Sequence, residues 1–225
     1  MAYSLVDGAV ADLESITRLQ FSAFLSTIAI ERLVYPAGMT RRTLALAVQA
    51  KKRSFNQSHV RYFKVVTDNG QIVAFARWYV WTEDQPETAW GAPFSFTPPE
   101  GLPPSEFNSG AAQQYYRGVD TLKKNNIRGR RCLYLSLLAT HPTHHGEGCG
   151  STLMNWGMKY AETHALDLYL ISSPESLPWY QKFGFCVIDT FSMDMTMAGG
   201  SEEDNTSGFY TATLMQLRCS RNNAL

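Results

Sequence analysis

The chain opens on a short run at 3–6 that reads as a strand. The period then changes, with Leu13, Ile16, Leu19 and Phe24 recurring at roughly helical spacing after Asp12. A second helix is expected from Thr40, with Leu44, Ala47 and Val48 on its apolar side and Arg41, Arg42, Lys51 and Lys52 giving it a wet face. Residues 60–66 and 72–81 are rich in β-branched and aromatic side chains. Thr67-Asp68-Asn69-Gly70 between them is a hairpin signal, which predicts an antiparallel pair. Residues 83–104, dense in Pro, Gly and aromatics, read as a long surface insertion, and a helix is expected after it at about 106–124. The run 133–139 is apolar enough for a central strand covered on both faces. Behind it come a glycine-rich loop, a helix over about 151–164 and an apolar strand at 168–171. Leu153, Trp156, Gly157, Tyr160 and Ala161 form the stripe of a crossover helix, so the unit is βαβ. A short helix within 173–182, strands at 185–195 and 209–217, and a flexible polar loop at 199–207 complete the pattern.

With 44% of its 225 residues hydrophobic, the chain can bury a full core, and one domain over 1–225 is the favoured reading. Lys plus Arg and Asp plus Glu both number 20. No net field draws the chain to nucleic acid or an acidic membrane, and a small or neutral partner is favoured. No window approaches the roughly 18 apolar residues of a membrane span, and the first residues lack a basic stretch followed by an apolar run. Cys132, Cys149, Cys186 and Cys219 are too few and too scattered for a disulfide scaffold. A cytoplasmic protein with reduced thiols is expected.

The segment His145-Gly146-Glu147-Gly148-Cys149-Gly150-Ser151 leaves a strand and opens a helix, with glycines where backbone amides approach a ligand closely. First-turn amides and the positive end of the helix dipole favour a phosphate there, with Ser151 and Thr152 as further donors. Neither the dinucleotide pattern GxGxxG nor the mononucleotide Gly-Lys-Ser/Thr ending is present. The phosphate therefore belongs to another ligand class.

Residues 137–150, Leu-Leu-Ala-Thr-His-Pro-x-x-His-x-x-Gly-x-Gly, resemble the acetyl-CoA motif of the GNAT acetyltransferases, Arg/Gln-x-x-Gly-x-Gly/Ala, with His145 where that family has Arg or Gln. Leu177-Pro178-Trp179-Tyr180-Gln181-Lys182-Phe183-Gly184-Phe185 is similar to the family's Tyr-x-x-x-Gly-Phe segment. The resemblance implies an α/β (α+β) GNAT fold. Its central sheet is mixed, mostly antiparallel and twisted, with about six or seven strands flanked by helices and a V-shaped splay between the fourth and fifth strands. The 83–128 insertion falls between the third and fourth strands.

The function implied is an N-acetyltransferase that uses acetyl-CoA as cosubstrate and no metal, transferring acetyl to a primary amine of a small molecule or peptide by direct attack in a ternary complex. Backbone groups of Leu138, Ala139 and Thr140 would hold the pantetheine arm. His145, Gly146, Glu147, Gly148, Cys149, Gly150, Ser151 and Ser173 would surround the rest of the coenzyme. Tyr180 takes the general-acid position. Ser136 occupies the strand where a carboxylate base would be useful, and Glu175, His141 and Glu31 are the remaining candidates. The state expected is monomer or homodimer.

Two rival functions stay open, a non-catalytic acyl-CoA-binding regulator on the same fold and a metal-dependent hydrolase. The second would use the cluster His141, His144, His145 and Cys149, whose spacing matches no common zinc pattern. Trp90, Phe94, Phe96, Tyr115 and Tyr116 are either a wall or lid over the acyl site or anchors for the insertion or a dimer face.

Overall fold

The computed structural model describes residues 2–86 and 101–218. Trp90, Phe94 and Phe96 of the insertion, and Cys219, lie outside the described residues. Among those described, seven strands form one sheet in the order β1-β2-β3-β4-β5-β7-β6. The strands are β1 (Tyr3–Asp7), β2 (Val60–Thr67), β3 (Ile72–Trp81), β4 (Cys132–Thr140), β5 (Asp167–Ser172), β6 (Cys186–Asp194) and β7 (Phe209–Leu217). Every neighbouring pair is antiparallel except β4 and β5, so the sheet is mixed as expected. The helices are α1 (Leu13–Thr27), α2 (Ala29–Val34), α3 (Arg41–Phe55), α4 (Ser109–Asn126), α5 (Cys149–Thr163) and α6 (Leu177–Gln181). None of the described helices is long and apolar enough to cross a membrane.

Helix α5 is the crossover of the β4-α5-β5 unit, and Leu153, Met154 and Ala161 bury one face of it against Trp78, Leu133 and Leu168. The approach depends on a missing side chain. A Cβ built on Gly157 would stand 2.2 Å from the indole of Trp78, a side chain with no exposed surface. Helix α1 covers the other face, where Leu13, Ile16 and Leu19 meet Phe75, Tyr79 and Tyr134. Helices α2 and α4 build a third cluster with β6 and β7, through Ile30, Leu33, Ala112, Val119, Met193 and Tyr210. Gly157→Ala is expected to lower stability by about 3 kcal/mol, because a rigid overlap at a ring edge forces helix and sheet apart. Urea denaturation would show this as a lower midpoint with an unchanged slope.

Several expectations are corrected. Helix α5 starts at Cys149 rather than Ser151, because Gly148 takes a left-handed conformation (φ 82°) as its N-cap. Helix α4 starts at Ser109 rather than about 106, where the Asn108 carboxamide oxygen accepts from the Ala111 amide at 3.0 Å. Helix α6, five residues long, is the short helix expected within 173–182. The short α2 was not anticipated, since six residues carry too little periodicity. Residues 199–207 are tied down rather than loose: Thr206 is buried, its amide donates to the Ser201 carbonyl, and the Asn108 carboxamide reaches the Ala198 carbonyl nearby. Lys51 is not on the wet face of α3, because it is only 6% exposed.

Candidate active site

The centre of the sheet comes apart at one place. Strand β4 pairs with β5 only from Cys132↔Asp167 to Leu135↔Leu170, although both strands continue. On its other edge β4 stays paired to β3 through Thr140. At the parting point Arg77 pairs with Leu137 and Trp78 with Leu135, leaving Ser136 as an extra residue in β4. Such a bulge bends the strand that carries it. Burial follows this geometry: Cys132 to Leu135 are buried, while Ser136, Leu137 and Leu138 are partly exposed in mid-sheet. The expectation of a strand covered on both faces therefore holds for its first half. Beyond the bulge the backbone edge of Leu138, Ala139 and Thr140 that faces β5 has no strand partner.

The glycine turn stands at the end of this opening. Gly146 (φ 81°) and Gly148 (φ 82°) are both left-handed, and a Cβ on either would meet nothing within 4 Å. No side chain caps α5. Two left-handed glycines on either side of Glu147, before a helix with no side-chain cap, turn backbone amides toward one place and suit an anion. Gly150 closes the floor, with Thr140 Oγ1, Trp179 and Leu138 lying 3.3–3.7 Å from the position of its absent Cβ. Ser151 is partly exposed on the first turn and Cys149 is buried beneath it, where burial raises its thiol pKa.

The neighbouring side chains are committed to one another. His145 Nε2 bonds the Thr140 carbonyl oxygen at 3.0 Å and so bridges the loop back to β4. Glu147 is drawn toward β1, where it accepts from the Tyr3 hydroxyl and lies 2.8 Å from His144 Nδ1. The Tyr3 bond lowers the Glu147 pKa and raises that of the phenol to about 12. His141 Nδ1 is used by Thr143 in the turn before the loop. The Ser173 hydroxyl donates to Ser176 Oγ at 3.2 Å and accepts from the Ser176 amide, in the turn that leads to α6. Among the described residues no group of three His, Cys, Asp or Glu side chains could hold a metal ion.

Tyr180 on α6 is 7% exposed and packs at ring-centroid distances of 5.0 Å from Trp179 and 6.0 Å from Phe185. Burial pushes its phenol well above the usual range, so it stays protonated. On the opposite face of the sheet lies a polar group of which sequence reasoning named Glu31, Ser136, Tyr116 and Lys51 separately but did not bring them together, and from which it missed Arg77. Arg77 on β3 donates from Nη2 and Nε to Ser136 Oγ at 2.7 and 3.3 Å, and its guanidinium carbon stands 5.5 Å from the Tyr79 ring centroid. Glu31 on α2 makes no side-chain hydrogen bond or ion pair among the described residues. Burial pushes its carboxyl up to about 7, against a smaller opposing effect of Lys51. Tyr116 on α4 feels both Glu31 and Arg77. Glu175 is exposed.

Comparison with known proteins places this architecture. Residues 112–193 match the family model described as an acetyltransferase (GNAT) domain. Over this stretch the chain is similar to a GNAT acetyltransferase domain. No curated protein matches the sequence. The fold is that of the Drosophila melanogaster polyamine N-acetyltransferase (TM-score 0.65, 12% identity, 96% of this chain and 100% of that one). It is also that of mosquito arylalkylamine N-acetyltransferase-like 5b (TM-score 0.62, 11% identity, 96% and 99%). The Escherichia coli ribosomal-protein-S18-alanine N-acetyltransferase is a third likeness (TM-score 0.54, 14% identity, 100% and 99%). These GNAT neighbours are named for a polyamine, an arylalkylamine and a protein alanine, so the shared fold leaves the acceptor to be argued from local chemistry.

Proposed function

We propose that the chain is a single-domain GNAT enzyme that transfers acetyl from acetyl-CoA to a primary amine by direct attack. The observation that carries this reading is the end of β4–β5 pairing at Leu135/Leu170, next to a glycine turn with open space over Gly146 and Gly148. In this reading the unpaired edge of Leu138 to Thr140 hydrogen-bonds the pantetheine arm as an added strand would. The turn from Gly146 to Ser151 takes the pyrophosphate.

An ammonium must lose a proton before it can attack. Glu31, with a carboxyl near 7, is the best matched of the three candidate bases, since His141 is engaged in its turn and Glu175 is exposed. The amine nitrogen bonds the thioester carbon, the C–S bond breaks, and the departing sulfur takes a proton or a hydrogen bond from Tyr180. Because the Tyr180 phenol is held above the pKa of a thiol, full transfer is uphill. Its main contribution is then a hydrogen bond to the developing thiolate. Tyr180→Phe is expected to lower kcat by about tenfold to a hundredfold, the value of one hydrogen bond to a charged group, with little change in coenzyme affinity. Steady-state kinetics beside a coenzyme titration separate the two effects.

Calorimetric titration of acetyl-CoA is the direct test. Saturable one-to-one binding followed by CoA release with an amine supports the reading. Binding without turnover of any amine favours a regulator on the same fold, and no binding removes the coenzyme site.

A further inference from the structure

Glu147 puts a carboxylate into the turn assigned to the pyrophosphate, between left-handed Gly146 and Gly148 and one residue before the N-cap of α5. Left to itself it would be drawn inward. The first-turn amides of α5 have no side-chain cap, and the positive end of the helix dipole favours any anion within reach. A carboxylate lodged there would satisfy those amides and exclude a phosphate from them. The structure holds it elsewhere. The Tyr3 hydroxyl, on the outermost strand β1, donates to Glu147 Oε2, and His144 Nδ1 lies 2.8 Å from the same oxygen. The Tyr3 hydroxyl and His144 Nδ1 are 3.1 Å apart, and the two rings meet edge to face at 6.1 Å. The Tyr3 ring also packs on the core cluster that includes Trp78 and Leu153, which fixes the hydroxyl from the sheet side. Glu147 has no other hydrogen-bond or ion-pair partner among the described residues.

We propose that Tyr3 and His144 are positioning residues for the coenzyme: they clamp the Glu147 carboxylate toward β1 and keep the protein's own anion off the amides that take the pyrophosphate. This rests on the acyl-transfer reading above, as far as coenzyme binding by the glycine turn. The clamp acts through charge. A released carboxylate competes with the phosphate twice, by occupying the amides and by repelling a like charge. A neutral side chain at 147 needs no such restraint. A mere tie between loop and sheet would behave differently, because its loss would weaken binding whatever the charge at 147. Glu147→Gln separates the two cases, since glutamine keeps the length and an acceptor oxygen but not the charge.

The test is a calorimetric cycle with acetyl-CoA on the wild type, Tyr3→Phe/His144→Ala, Glu147→Gln and the triple variant, with thermal midpoints measured alongside. The double variant is expected to bind acetyl-CoA about tenfold to a hundredfold more weakly than the wild type. That is less than the full repulsion of two charges about 4 Å apart, because a released carboxylate spends only part of its time in the cradle. The triple variant is expected to bind within about threefold of Glu147→Gln. Wild-type affinity in the double variant overturns the proposal. So does an equal loss in both backgrounds, which would make Tyr3 and His144 a structural tie or direct phosphate contacts. If the double variant does not fold, Tyr3→Phe alone, which keeps the packed ring, carries the same cycle. Its expected loss is about threefold to tenfold, again abolished by Glu147→Gln. A wild type that binds no acetyl-CoA removes the coenzyme reading and the clamp with it. A wild type that binds normally, with an affinity indifferent to Tyr3 and His144, removes the clamp alone.

Discussion

Glu31→Gln is expected to lower kcat/KM by about a hundredfold to ten-thousandfold, the range for removing a positioned general base. The pH profile identifies the cause. In the wild type, activity should fall tenfold per pH unit below about 7, because the carboxyl of Glu31, pushed up to about 7 by burial, must be ionised to accept the proton. Above that point the profile should be flat until the acceptor's own ammonium titrates. In Glu31→Gln only amine that is already neutral can react, so the rate should climb steadily with pH and the plateau should vanish. Lys51, pulled down to about 7 by its burial, titrates in the same interval and needs its own control. The Lys51 ammonium lowers the Glu31 pKa, so Lys51→Met should keep the acid limb and move it to higher pH. A limb that persists unchanged in Glu31→Gln would assign it to another group.

What the sequence reveals of this fold follows from where its signals are local. The hairpin of β2 and β3 is announced by Asp68-Asn69-Gly70, and both its register and its turn stay within one short segment. The β4-α5-β5 unit is legible for the same reason. The splay is legible only through the GNAT resemblance, since Ser136 looks like an ordinary strand residue and its bulge shows only in the pairing of Arg77 and Trp78 across to β4. The insertion of β7 between β5 and β6 is a long-range choice that no local pattern encodes.

The polar group around Glu31, the proposed base, is less legible still, because it draws on α2, α3, β3 and α4. Lys51 carried a usable signal. It follows Leu44 by seven residues and Ala47 by four, which places it on the apolar stripe of α3, but its charge led to the wet-face reading. The residues proposed for the coenzyme, Ser173 aside, fall between Leu138 and Ser151, so one sequence motif is enough to nominate them.

Gly150→Glu and Gly148→Glu are expected to weaken acetyl-CoA binding by about a hundredfold or more, and the two positions fail for different reasons. Gly150 lies on the floor of the cradle, where an added Cβ would already stand 3.3 Å from Thr140 Oγ1 and 3.5 Å from Trp179. A carboxylate extending from there enters the space assigned to the pyrophosphate. Like charges about 4 Å apart repel by about 1 kcal/mol in water and about 4 kcal/mol at the effective dielectric near a protein surface. Gly148 has open space around it, so the steric term is absent and strain takes its place, since a left-handed residue with a side chain costs about 1–2 kcal/mol. Gly148→Ala isolates that strain and should retain most coenzyme affinity, while Gly148→Glu adds the repulsion.

Glu147 shows that a carboxylate is tolerated in this loop when it is turned away, because Tyr3 and His144 hold it toward β1. A glutamate at position 150 has no such anchor. Calorimetry on the four proteins, with thermal midpoints measured alongside, distinguishes lost affinity from lost folding. Coenzyme affinity in Gly150→Glu equal to that of the wild type would move the phosphate site away from this turn, and with it the assignment of the splay as the seat of the thioester.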